Sequence, residues 1–200
     1  MPAGFLEFLA AAVVMELTPG PNMTWLVLLS ARAGWRAGLQ AVAGITSGLA
    51  LMGGVAASGA AALIAAYPLV YETLRWAGVI FLLYLAFEAW VGEKAGAARD
   101  DKGRHFRRGF LVNILNPKAA AVFLVMIPAF AGTAGAGWLI VMSTIYLAIA
   151  TTAHALIAVF ASNLQQIVVD PRREVIVRRI LAILLGSVAI WFGLSTGRQA

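Results

Sequence analysis

The sequence predicts an all-α membrane protein of six transmembrane helices, arranged as two inverted three-helix repeats with helices 1 and 4 broken at proline. Three observations lead there. The chain is 62% hydrophobic and only 12% charged over 200 residues, with a mean hydropathy of +0.87, outside the range of soluble globular domains. Residues 37–71, 119–169 and 180–197 carry no Asp, Glu, Lys or Arg, and runs of that length suit bilayer-crossing helices. Two otherwise apolar segments are each interrupted by proline, at Thr18-Pro-Gly-Pro21 and at Asn116-Pro-Lys118. A β-barrel would instead show alternating segments of about ten residues.

The first span is expected over Ala3–Leu29, interrupted at residues 18–21. Its N-terminus lacks a basic leader and cleavage signature, so the stretch is read as a retained span. Pro removes a backbone donor and clashes with the preceding turn, so Pro19, Gly20 and Pro21 cannot continue one helix. Thr18 is a candidate cap for a restarting half-helix, with Pro19 at its first position. A basic loop, residues 32–36, leads to the second span, Leu39–Ala65. Gly44 and Gly48 form a small-xxx-small pair there, suited to close helix packing within the chain or in a homodimer. Tyr67-Pro68 is read as a turn and Glu72–Val91 as the third span. Residues 93–108 hold nine charges and form an exposed loop. The fourth span is Gly109–Phe130, broken at Asn116-Pro117-Lys118. After a Gly-rich turn over residues 131–137 come the fifth span, Trp138–Ala161, and the sixth, Val177–Leu194. The six tryptophans mostly fall near span ends, as an interfacial belt.

This layout is one polytopic domain over 1–200: repeat 1 over about 1–92, the charged loop 93–108, and repeat 2 over about 109–200. It places loops 31–37, 92–108 and 162–176 on one side. With Arg178 and Arg179, that side holds twelve of the fifteen Lys and Arg residues. The positive-inside rule then makes that side cytoplasmic and both termini periplasmic. The net charge of +6 is explained by these loops and gives no reason to expect nucleic acid. There are no cysteines, which excludes disulfides and thiolate metal sites.

Sliding the chain on itself by 98 positions brings Pro19 onto Pro117, Thr18 onto Asn116, Phe8 onto Phe106 and Ala33-Gly34 onto Ala131-Gly132. With three spans per half, the halves lie in opposite orientations, and paired broken helices meet near the bilayer midplane. Glu16-Leu-Thr-Pro-Gly-Pro-Asn22, the Gly34/Gly38/Gly44/Gly48 series, Leu74-Arg-Trp-Ala-Gly78 running to Tyr84-Leu85, and Asn113-Ile-Leu-Asn-Pro-Lys118 resemble the lysine exporter (LysE/RhtB) family of amino-acid efflux proteins. The resemblance covers nearly the whole chain. It implies six helices, export of amino acids or related metabolites across the bacterial inner membrane, and coupling to the proton gradient; it does not imply lysine.

The candidate substrate site comprises Glu16, Thr18, Pro19, Gly20, Pro21, Asn22, Asn113, Asn116, Pro117 and Lys118. A carboxylate such as Glu16 costs about 2.5–3.5 kcal/mol at membrane depth on insertion scales and marks function by default. It is expected to receive a substrate ammonium group or a proton. The blander reading is a static ion pair with Lys118, the one Lys or Arg near the middle of a predicted span. Lys118 sits where a half-helix dipole is already positive, a place that suits a substrate carboxylate. Asn116 reads best as a cap; Asn22 and Asn113 are either caps or ligands. Glu16, His154 and Glu88 are the proton-coupling candidates. His titrates near about 6.5 when unperturbed, although a lone buried His is more often a hydrogen-bond partner, and Glu88 is close enough to a span end to reach water. No ligand spacing supports a metal site, nothing calls for a cofactor, and no catalytic constellation points to an enzyme. The rival readings are a cation or metal exporter and a small-solute channel of the same architecture.

Overall fold

The computed structural model describes residues 4–18, 20–58, 68–91, 103–132, 135–163 and 171–195. Among these residues all regular structure is helical: α1 (Phe5–Leu17), α2 (Pro21–Ala57), α3 (Pro68–Val91), α4 (Arg104–Ile114), α5 (Pro117–Ala121), a π-helical stretch (Val122–Met126), α6 (Ile127–Ala131), α7 (Ala136–Ser162) and α8 (Pro171–Ser195). Helices α2 and α7 are each long and apolar enough to cross a membrane, and α4 with Lys118–Ala131 is so as a pair bent by 54°. Outward faces carry Leu6, Ile80, Phe87, Val125, Phe160, Ile183 and Trp191, surface that lipid tails accept and water does not. The protein is an all-α membrane protein.

Proline sets several starts. Pro21, Pro68, Pro117 and Pro171 each open a helix, where a missing N–H costs nothing because the first turn has no acceptor for it. Helix α3 therefore begins four residues before the expected span, and α8 six before. Arg104–Arg108, expected in the exposed loop, instead form the first turns of α4. The short basic connection expected at 32–36 is present as a sharp break inside α2. Helix α2 runs through it, broken at Gly34 alone, whose φ of 83° and ψ of 173° lie outside the helical region. Glycine permits that positive φ at little cost. The chain doubles back there, since a Cβ on Gly38 would collide with the side chain of Ser30, eight residues away and about 12 Å along a straight helix.

The second arm of α2 is the hub of the bundle. A Cβ at Gly44 would strike the Phe106 backbone carbonyl, and one at Gly109 the carbonyl of Ala41. The small residues thus act within the chain, letting α2 and α4 touch backbone to backbone. The register Ala41–Gly109, Gly44–Phe106 and Phe110, Gly48–Asn113 makes these helices parallel. Helix α7 runs antiparallel to the same arm, through Gly38–Ala158 and Gly53–Ser143 and a Thr46–Thr151 hydroxyl pair at 2.9 Å. Helix α3 packs chiefly on α8. Trp25 departs from the interfacial belt: it is buried with Leu26, Ala41, Val42, Leu82 and Leu185, because the first arm of α2 faces inward.

Candidate functional site

Two helix breaks face each other. At the second, Asn116 is extended and its side chain accepts a 3.0 Å bond from the Lys118 backbone N–H, with Pro117 in the first helical position. This is the expected cap. The first break differs from expectation. Thr18 closes α1 rather than opening the next helix: its hydroxyl donates to the Val14 carbonyl at 2.8 Å, so it points backward. Gly20, extended at φ −154° and ψ 178°, is the residue before α2, with Pro21 at the first position and no side-chain cap. The extended backbone of Gly20 re-aims the chain into the second rod. Pro19 itself lies outside the described residues, as do the side chains of Pro117 and Glu88.

Glu16, in the last turn of α1, is 3% exposed. Its Oε1 accepts from the Tyr146 hydroxyl and lies 3.7 Å from Lys118 Nζ. Its Oε2 is 3.9 Å from His154 Nε2 and has no hydrogen bond. Lys118 reaches over from the start of α5 and donates to the Thr18 carbonyl at 3.1 Å. The ammonium therefore leaves the positive end of its own helix for the negative end of α1, where a cation is favourable.

Asn22, in the first turn of α2, donates through Nδ2 to Asn113 Oδ1 at 2.9 Å. Both are buried, and the Asn113 amide packs on Gly48, where a Cβ would sit 2.8 Å from Nδ2. Glu16, Gly20, Asn22, Asn113, Asn116, Lys118, Tyr146 and His154 line one small cavity, with Met23, Leu49 and Ala119 as its apolar wall. It has room for about one water molecule.

Of the candidate residues, Glu16, Gly20, Asn22, Asn113, Asn116, Lys118 and His154 come together here, whereas the Thr18 side chain is turned away. Tyr146 escaped the sequence reading. Its signal was present: a phenolic hydroxyl in an apolar span needs a partner when buried. Phe123, on the π-helical stretch, holds the Tyr146 ring edge-to-face at 5.6 Å. Among the described residues, no group of three or more His, Cys, Asp or Glu side chains is placed to hold a metal ion.

The sequence model of the family described as LysE type translocator matches residues 13–198. A homoserine/homoserine lactone efflux protein of Salmonella typhimurium is 28% identical over 134 residues, 63% of this chain and 64% of the relative. The protein of the same name from Salmonella typhi is 27% identical over the same shares. A leucine efflux protein of Salmonella choleraesuis is 29% identical over 151 residues, 70% of this chain and 71% of the relative. The chain thus matches a little under two thirds of the length of the two homoserine relatives. No solved structure gives a significant match.

Proposed function

The chain belongs to the LysE type translocator family, and we propose that it is a secondary exporter of amino acids or closely related small metabolites across the bacterial inner membrane, driven by proton antiport. The observation that carries this reading is Glu16. A buried carboxylate at a helix break, shared among a cation, a phenol and an imidazole, is costly at membrane depth unless it works. The relatives' names, efflux proteins for homoserine and leucine, supply the substrate class.

The architecture proposed is six spans in two inverted repeats. Gly34 and Gly132, superimposed by the 98-residue slide, both take positive φ, 83° and 52°; α1 and α4 occupy equivalent positions before their breaks. The register also supports cytoplasmic basic loops and periplasmic termini. Helix α4 runs parallel to the second arm of α2 and α7 antiparallel to it, so residues 32–36, 104–108 and the end of α7 share one end of the bundle. Phe5 meets Trp138 at the other.

In the mechanism proposed, the half-helix starts at Pro21 and Pro117, with Lys118, receive the substrate carboxylate. Glu16 receives the substrate ammonium or a proton, never both. Because the two compete for one carboxylate, each export event returns a proton inward. The cavity is too small for an amino acid, so this conformation is the closed one, and the two broken helices must part to load it.

Counterflow in proteoliposomes with labelled amino acids and an imposed pH gradient tests the reading. Saturable exchange that the gradient accelerates, with the acceleration lost in Glu16→Gln, is the expected result. Full gradient-driven efflux in that variant would overturn the role of Glu16. Flux that never saturates would indicate a channel instead.

A further inference from the structure

We propose that the Asn22–Asn113 amide pair makes this site selective for net-neutral zwitterions, amino acids whose side chains bear no charge, against lysine-like cations and glutamate-like anions. The inference rests on the amino-acid export reading. A single hydrogen bond between two primary amides uses one donor group and one acceptor and leaves one oxygen and one NH2 over, whichever way either amide is turned. Here the remaining groups are Asn22 Oδ1 and Asn113 Nδ2, both buried and without partners. Buried polar groups are nearly always bonded, and each exception calls for an explanation.

A ligand provides one. The amide pair borders the cavity that Glu16 and Lys118 also line, and Glu16 Oε2 is likewise unpartnered. The site therefore offers two acceptors, Glu16 Oε2 and Asn22 Oδ1, to an ammonium group. It offers two donors, Asn113 Nδ2 and the Lys118 ammonium, to a carboxylate. One carboxylate and one ammonium balance each other when His154 is neutral, and a zwitterion preserves that balance. The rest of the wall is Met23, Leu49 and Ala119, which suits a side chain without charge. A third charge on the substrate would be desolvated with no counter-charge among these residues, the condition that makes intramembrane ions costly.

The amides matter because they supply polarity without charge. In Asn22→Asp the same position becomes a second carboxylate and the site should accept an additional cation. The experiment is counterflow in proteoliposomes, with leucine, homoserine, lysine, arginine and glutamate competing. The intact protein should favour leucine and homoserine over lysine, arginine and glutamate by about a hundredfold. Asn22→Asp should move the ratio at least about tenfold toward lysine and arginine. Asn113→Asp carries the same prediction should the first variant fail to fold, and amino-acid-induced thermal shifts in detergent report binding apart from flux. Equal exchange of lysine or glutamate and leucine by the intact protein would overturn the inference and leave amino-acid export standing. A neutral preference unchanged in both variants would place selectivity elsewhere and overturn it too. Exchange of no amino acid would overturn the export reading, and this inference with it.

Discussion

At the second helix break the chain caps itself, whereas the first is completed from across the bundle. Asn116 satisfies the Lys118 N–H within two residues, so α5 starts on local chemistry. Gly20 contributes no side-chain cap to α2, and the loose end on the other side of that break, the Thr18 carbonyl, is met by Lys118 from the second half. One lysine thus joins both breaks and neutralises Glu16 as well. Similar Pro-containing segments can therefore differ in what holds them: the self-capped break rests on its own chain, and the cross-capped one on a contact from the other half of the molecule, which in the proposed mechanism substrate displaces. An alternating mechanism needs such a contact, because a helix end satisfied only in trans is free to change partners.

Removing the trans contact should have the largest effect. Lys118→Met leaves Glu16 buried without its cation and the Thr18 carbonyl without its donor. Thermal unfolding in detergent should show a loss of about 3–5 kcal/mol, and counterflow should cease. Adding Glu16→Gln to that variant should recover most of the stability and none of the transport. Stability that stays lost in the double variant would mean that Lys118 acts mainly through α1.

Tyr146→Phe should come next, since it deletes a hydrogen bond to a charged group while keeping the ring against Phe123. A cost of about 1.5–3 kcal/mol is expected. The transport signature should be weaker gradient acceleration with little change in saturation by substrate. A purely structural tyrosine would lower both together.

The smallest effects sharpen the asymmetry of the two breaks. Asn116→Ala should cost about 1 kcal/mol as a lost cap. Thr18→Val, at the position that looks equivalent in sequence, should cost only a few tenths, because its hydroxyl back-bonds to its own helix. Equal losses at the two positions would remove the distinction between self-capped and cross-capped breaks.

How far the site could be read from sequence follows from the range of each interaction. Asn116 was legible as a cap because capping spans two residues. Glu16 and Lys118 were legible because a charge in an apolar run stands out whatever surrounds it. Thr18 was misread because two prolines in four residues offer two starting points, and only the extended conformation of Gly20 selects the second. Tyr146 was passed over because aromatic residues are ordinary in such spans, and its partner lies 130 residues away. Trp25 departs from the interfacial belt because the doubling back at Gly34 carries the first arm inside the bundle, which its place in the sequence does not reveal.

The sequence by itself determined the membrane class, the helical content, the two breaks and the clustering of positive charge between apolar segments. Those follow from hydropathy, proline stereochemistry and charge counts, which act locally or sum along the chain. Only the tertiary structure decided that Lys118 serves the opposite helix, that Tyr146 and His154 flank Glu16, and that Asn22 meets Asn113 over Gly48. Each of these depends on how closely distant backbones approach, and that distance is set where Gly44 and Gly109 allow α2 and α4 to touch.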